Sequence, residues 1–199
     1  MSTTAPVPHS TETVNGGGSL IDSPRPTRSA PTDQSASSDR PFVRYLWAVT
    51  RLCMGWTFLW AFIDKTFGLG HGTPSDGAWI DGGNPTEGFL SGSVGPFSSF
   101  YQEIAGTGVV NLLFMVGLLG IGVALLLGIA MRPACIAGAT MLVLMWSASL
   151  PPENNLFLDD HIILALLLIG LAAVGAGKTL GLGERWARTA VVRRYSWLA

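Results

Sequence analysis

Three long runs without a charged side chain constrain the fold of this 199-residue chain more than any other feature. They cover residues 104–131, 133–152 and 162–177. A helix needs about 20 residues to cross the hydrocarbon core of a bilayer. The first two runs reach that length, and the third reaches it when residues 156–158 are added on its outer side. An earlier segment, 45–63, reaches it by including Arg51.

The runs favour helices over a barrel. In lipid, backbone polar groups need partners within the protein, which leaves helices or closed barrels. The runs show no period-2 alternation, which disfavours a barrel. We therefore predict an all-α fold, a polytopic membrane four-helix bundle with a long extracytoplasmic loop. The predicted helices cover 43–65, 107–131, 133–150 and 157–176, and the outer loop covers 66–106.

Composition divides the chain into three parts. Residues 1–40 contain 22 Ser, Thr, Pro or Gly residues and no aromatic residue, which predicts a disordered cytoplasmic tail. The four-helix domain then covers 41–177, and a basic cytoplasmic segment covers 178–199. Charged residues make up 13% of the chain, against about 25% in soluble domains, which excludes a soluble enzyme. The net charge of −1 excludes a nucleic-acid partner.

The basic residues predict the orientation. With both termini on one face, that face holds eleven of the 12 Lys and Arg residues, and Lys65 is the exception. Cytoplasmic loops carry such an excess. We predict a multi-pass protein of the inner (plasma) membrane, in contact with the lipid bilayer, with both termini in the cytoplasm.

Five polar residues near the predicted membrane are candidates for chemistry. Arg51 lies about 9 Å into the first span, where it either reaches the cytoplasmic headgroups or forms a polar site between helices. Lys65, Asp160 and His161 lie at the outer boundary. Asp159 or Asp160 is suited to cap the fourth helix, Lys65 to pair with Asp160, and His161 to carry protons.

The apolar candidates are fewer. Trp146 and the glycines of the second helix are suited to line a slot for a quinone. Residues Gly120, Ala124 and Gly128 recur at four-residue spacing, which predicts close helix packing. No spacing typical of metal ligands occurs, and no cofactor is evident apart from a quinone as electron acceptor.

The end of the long loop has helical spacing. Residues Phe97, Phe100, Tyr101 and Ile104 share one helical face. This predicts either a short interfacial helix with that face in the membrane or a loop whose aromatic side chains pack over the bundle.

Several short motifs follow one another in the chain. They are RLCMG at 51–55, DKTFGLG at 64–70, GFL at 88–90, GPF at 95–97, PPENN at 151–155 and DDH at 159–161. In this order they resemble the DoxX/DoxD family of four-helix membrane proteins, and the two loop motifs resemble its long-loop, DoxD-like branch. The resemblance covers about 42–194.

The resemblance implies a function. Family members are associated with thiosulfate:quinone oxidoreduction and with membrane complexes that handle thiol or oxidative stress. The resemblance implies that the chain is a membrane subunit of a quinone-linked redox complex, with another redox subunit as its partner. Its oligomeric state stays open. Possible catalytic roles carry over to Arg51, Lys65, Asp160 and His161, with Arg51 also as a quinone contact. The alternative is a non-enzymatic membrane anchor or scaffold for a soluble redox enzyme.

Overall fold

The structure is a computed structural model that describes residues 41–153 and 155–198. Within these residues the chain forms eight α-helices and four short 3-10 helices, with no strand. The predicted all-α fold is therefore confirmed, whereas the predicted tail at 1–40 lies outside the described residues. The α-helices are α1 Pro41–Phe67, α2 Glu87–Ser91, α3 Ser98–Ile104, α4 Gly108–Leu127, α5 Met131–Ala148, α6 Asp160–Ala173, α7 Gly183–Ala187 and α8 Ala190–Arg194.

Three helices in the described part of the chain, α1, α4 and α5, are long and apolar enough to cross a membrane. Three of the four predicted spans therefore have the length and apolarity that a membrane crossing needs. α6 is also apolar but has 14 residues, which correspond to about 21 Å. That length is less than the roughly 30 Å of a hydrocarbon core.

The predicted second helix is too long because a glycine ends it early. Gly128 has φ 70°, and its backbone N–H donates to the carbonyls of Ala124 and Leu125. A residue in this left-handed conformation stops a helix by satisfying its last carbonyls. α4 therefore ends at Leu127 and α5 begins at Met131. The sequence predicted that the second helix ends at residue 131 and that the third begins at residue 133.

The predicted fourth helix is too long at both ends. Asp159 is its N-cap, and its Oδ1 accepts the backbone N–H of Ile162 at 3.3 Å. The helix therefore begins at Asp160, and not at residue 157. Gly175, with φ 63°, follows its last residues, so that α6 ends at Ala173 before the predicted residue 176.

The long helices pack in the order of the chain. α1 contacts α4, α4 contacts α5, and α5 contacts α6. A buried apolar cluster joins all four of them, with Phe58 from α1, Leu118 from α4, Leu142 from α5 and Leu168 from α6 among its members.

The close approach of α1 and α4 depends on glycines other than those predicted. A Cβ added at Gly55 would stand 2.9 Å from the backbone nitrogen of Leu126, and one at Gly122 would stand 2.8 Å from that of Leu59. Gly120 has nothing within 4 Å of such a Cβ. Of the glycines predicted to pack closely, Gly120 thus faces open space, whereas Gly128 contacts Arg51 of α1.

Two short helices, α2 and α3, lie in the segment between α1 and α4 and form a roof over one end of the long helices. α3 confirms the helix predicted from the spacing of residues 97–104. Tyr101 is buried, whereas Phe97 and Phe100 are more than half exposed. One aromatic residue of the predicted face thus packs inward, and two stay on the surface.

Candidate functional site

The described residues enclose an apolar cleft of about 640 Å³ between α4, α5 and the roof. α4 and α5 supply its walls, with Phe114, Gly117, Ile121, Met141, Leu144 and Met145. The roof supplies Phe89 and Leu90 from α2 and Phe100, Tyr101 and Ile104 from α3. Ligand pockets are typically about 300–1,000 Å³ with mostly apolar walls, and this cleft has both properties.

Four polar side chains line the cleft. They belong to Lys65, Thr86, Tyr101 and Thr140, and Lys65 is the one that carries a charge. The hydroxyl of Thr86 donates to Asn111, and the hydroxyl of Tyr101 contacts Ser147. Among the described residues Lys65 forms no ion pair. Lys65 is half-buried, and it borders the cleft without an ion pair to a described acid.

Asn111, in the first turn of α4, holds the roof to the membrane helices. Its side-chain oxygen accepts the backbone N–H of Thr86 at 3.1 Å and the hydroxyl of Thr86 at 2.6 Å. Its amide nitrogen donates to the side chain of Asn84 at 3.0 Å and to the carbonyl of Gly106 at 3.1 Å. All four hydrogen bonds of a buried amide are therefore made, which fixes α2 above the cleft.

Tyr101 holds the roof to α5. Its hydroxyl lies 2.5 Å from the hydroxyl of Ser147 and donates to the carbonyl of Leu144 at 3.2 Å. Asn111 and Tyr101 therefore tie α2 and α3 to the two helices that form the walls. Sequence analysis missed Asn111, although an amide inside an apolar helix indicates a buried hydrogen-bonded group.

Arg51 lies in the first half of α1, ten residues after its start. Its side chain has no exposed surface. One terminal nitrogen, Nη1, donates to the carbonyls of Leu125 and Leu126 at 2.6 and 3.2 Å. The other, Nη2, donates to the carbonyls of Thr179 and Leu180 at 3.4 and 2.8 Å. Arg51 thus joins α1 to the last turn of α4 and to the segment after α6.

This arrangement differs from the snorkelling predicted for Arg51 and agrees with the alternative position, a polar contact between helices. A side chain that snorkels would be exposed at the headgroups, but Arg51 is buried. Its guanidinium compensates the negative end of the α4 dipole and carbonyls that lack partners within the helix. Because Arg51 and Lys65 are fourteen positions apart in one helix, they lie about 21 Å apart along its axis and belong to different sites.

The Asp-His cluster lies at the start of α6. His161 Nδ1 lies 2.7 Å from Asp159 Oδ2 and 3.7 Å from Asp160 Oδ1. The side chain of Asp160 is 85% exposed, whereas those of Asp159 and His161 are 15% and 21% exposed. The capping residue is therefore Asp159, and it is also the nearer partner of His161. The predicted pair between Lys65 and Asp160 is not formed among the described residues.

The ligand atoms of Asp159, Asp160 and His161 lie within 4.8 Å of one another, a spacing that suits a metal ion. The three residues are consecutive at a helix start, where the cap and the His161 contact already account for their proximity.

Trp146 lies near the end of α5, where its indole N–H donates to the carbonyl of Phe157 at 2.9 Å. It does not line the cleft, whereas its neighbours Leu144 and Met145 do. Among the glycines of the predicted second helix, Gly117 lines the cleft, and a Cβ there would meet the Met141 methyl group.

The structure thus separates the predicted site residues into three places. Lys65 lines the cleft, Asp160 and His161 stand together at the start of α6, and Arg51 is buried in the first half of α1. No family model, curated protein or solved structure matches this chain.

Proposed function

We propose that this chain is a membrane subunit of a redox complex, similar to DoxX/DoxD proteins, and that the cleft between α4, α5 and the roof binds a quinone ring. The observation that carries the proposal is an apolar cleft of about 640 Å³ with one charged side chain, Lys65. A quinone is a flat apolar ring with two carbonyl acceptors, so it suits apolar walls with few donors. A second redox subunit supplies the electrons.

Each group around the cleft then has a role. Phe114 and Met141 on the walls contact the ring, and the roof residues Phe89 and Phe100 keep water away from it. The Lys65 ammonium donates a hydrogen bond to one ring carbonyl. When bound, the quinone accepts two electrons and two protons.

Cavity filling tests the proposal. We expect a quinone in an organic extract of the purified full-length protein, and at least tenfold less of it from Gly117→Phe, whose ring would occupy the cleft. Gly120→Phe is the matched control because it lies on the same helix and has open space beside it. It should retain the quinone, as measured by chromatography with absorbance detection.

Two results would contradict the proposal. In one, the wild-type protein carries no quinone and binds no added short-chain quinone. In the other, Gly117→Phe and Gly120→Phe retain equal amounts. A soluble redox enzyme that co-purifies in fixed ratio with protein lacking quinone would instead favour the anchor or scaffold function.

We also propose that Asp160 and His161 carry protons between water and the cleft, on the side of the membrane where the cleft lies. The support is their position: Asp160 is exposed to water, and His161 lies beside it at the start of an apolar helix. Replacing His161 by Gln or Asp160 by Asn should slow quinone-linked turnover at least tenfold while the thermal unfolding temperature stays unchanged. Turnover equal to wild type in both variants would contradict the role and leave these residues as a helix start.

We propose that the chain crosses the inner membrane four times, with α6 as the fourth crossing. Both termini then lie in the cytoplasm. The support is the grouping of Arg44, Arg132, Lys178 and the later arginines at one end of the helices, against Lys65 at the other. Reporter fusions after Ala199 and within 68–107 should report opposite sides. A report of the same side for both would contradict four crossings.

A further inference from the structure

A second cavity, of about 270 Å³, lies where α5 begins and α6 ends. Its charged lining residues in the described part of the chain are Arg132 and Lys178, and no acidic side chain lines it. The rest of the wall is small or apolar, with Ala130, Ala172, Val174 and Trp186 among its members. The cavity therefore combines two cations with an apolar interior, and this site is separate from the cleft under the roof.

The surroundings of this cavity are also basic. The segment after α6 carries Arg185, Arg188, Arg193 and Arg194, all exposed, and its acidic residue is the exposed Glu184 of α7. Arg132 donates one N–H to the carbonyl of Ser196 at 3.4 Å, which leaves its other donors available. Because cations outnumber the acid, this end of the molecule attracts anions.

The cavity lies at the end of two apolar helices, which favours an anion that also has an apolar part. Ile136 follows Arg132 by one turn of α5, on the same face of the helix, and it is 64% exposed. Ile169 of α6 is 55% exposed. Trp186, whose indole N–H donates to the carbonyl of Leu198 at 2.8 Å, forms part of the wall. An amphipathic ligand would thus meet cations at its head and exposed apolar helix surface beyond it.

We propose that this cavity binds the phosphate headgroup of an anionic phospholipid. Arg132 and Lys178 contact the phosphate diester, and the acyl chains run along the exposed surfaces of α5 and α6 beside Ile136 and Ile169. The first turn of α5 adds the positive end of a helix dipole to the same place. A free phosphate ion would meet the same two cations but would gain nothing from the apolar surface.

Native mass spectrometry of the full-length protein in detergent tests this site. We expect one phosphatidylglycerol molecule to remain bound under conditions that remove phosphatidylcholine. The double variant Arg132→Gln, Lys178→Gln should reduce this binding about 30-fold, since each cation near an anionic lipid contributes a factor of about five. Arg193→Gln, Arg194→Gln is the matched control with the same change in charge, and it should retain the bound lipid.

Equal losses in the two double variants would contradict the proposal, because they would indicate a diffuse basic surface. Retention of the lipid by Arg132→Gln, Lys178→Gln would also contradict it. If inorganic phosphate displaces the lipid at equal concentration, the site binds free phosphate and the lipid assignment is wrong.

If the double variant fails to fold, Lys178→Gln alone, at an exposed position, should still weaken binding severalfold, and an unchanged affinity would overturn the site. Quinone content should be the same in all these variants, so this test is independent of the one for the cleft.

Discussion

The two halves of α1 each place a cation close to apolar helices, but the two cations have different partners. In the first half, Arg51 is completely buried and bonded to four carbonyls. In the second half, Lys65 is half-buried at the edge of an apolar cleft and forms no ion pair among the described residues. Both residues were candidates for a catalytic role when only their types and positions in sequence were considered.

The difference shows how partners distinguish a structural charge from a functional one. A buried charge without partners is costly, and four carbonyl acceptors compensate the terminal nitrogens of the Arg51 guanidinium, whose Nε has no hydrogen-bond partner. The Lys65 ammonium is attracted by the neighbouring Asp64 but forms no ion pair among the described residues, and the adjoining cleft has room for a ligand with an acceptor group. The comparison supports a structural role for Arg51 and the binding role that we propose for Lys65, and three substitutions test it.

The largest expected effect is on stability at Arg51. Replacing Arg51 by Met supplies an apolar side chain of similar length but removes the guanidinium donors to the four carbonyls, of which that of Leu125 keeps the backbone N–H of Gly128. We expect the free energy of unfolding to fall by about 3–5 kcal/mol, because each buried polar group left without a partner costs roughly 1–3 kcal/mol. Unfolding of the purified protein in mixed micelles, followed by tryptophan fluorescence, measures this. Arg188→Met, at an exposed arginine, should change it little, and an equally stable Arg51→Met would contradict the assignment.

The next effect is on binding at Lys65. Lys65→Met should lower the affinity for a short-chain quinone about 10- to 100-fold, because a hydrogen bond from a charged donor contributes about 1.5–3 kcal/mol. Lys65→Arg should restore part of this affinity, since it keeps a charged donor. Titration of protein fluorescence with the quinone measures both. A large loss of stability in Lys65→Met, with affinity unchanged, would reverse the comparison between the two cations.

The smallest effect concerns the roof at the Lys65 end. Tyr101→Phe removes a hydroxyl that contacts Leu144 and Ser147. We expect unfolding to become easier by about 1 kcal/mol, with faster release of bound quinone because α3 is held less firmly to α5. Tyr45→Phe is the control, since Tyr45 is 54% exposed. Release rates that do not change, measured by stopped-flow exchange, would show that the roof does not control access to the cleft.

Much of the helical architecture follows from the sequence because charge-free runs long enough to cross a bilayer have few other stable structures. The helix ends are harder to predict. Gly128 was assigned to a packing stripe, but it stops α4 through its left-handed backbone conformation. Asp159 at the start of α6 was among the residues predicted to cap it, because a short acidic side chain before an apolar run is a strong local signal.

The site was predictable only in part. Lys65 was among the candidates, but the cleft itself depends on residues from α2, α3, α4 and α5, which no local pattern groups together. Asn111 illustrates the reason. Its four hydrogen bonds reach Asn84, Thr86 and Gly106, and a buried amide stabilises the fold only when such partners, distant in sequence, pack beside it.

The sequence by itself determined that the described chain is helical and apolar enough for a membrane, because hydrophobicity acts locally along each segment. It predicted four spans, of which three helices have sufficient length in the structure. Only the tertiary structure decided which cation is bonded to carbonyls and which borders a cavity. Arg51 and Lys65 lie in the same helix, so their different roles arise from the other segments that pack around each end of it. Those contacts join residues up to 129 positions apart, and the burial and partners of a charge are properties of such contacts.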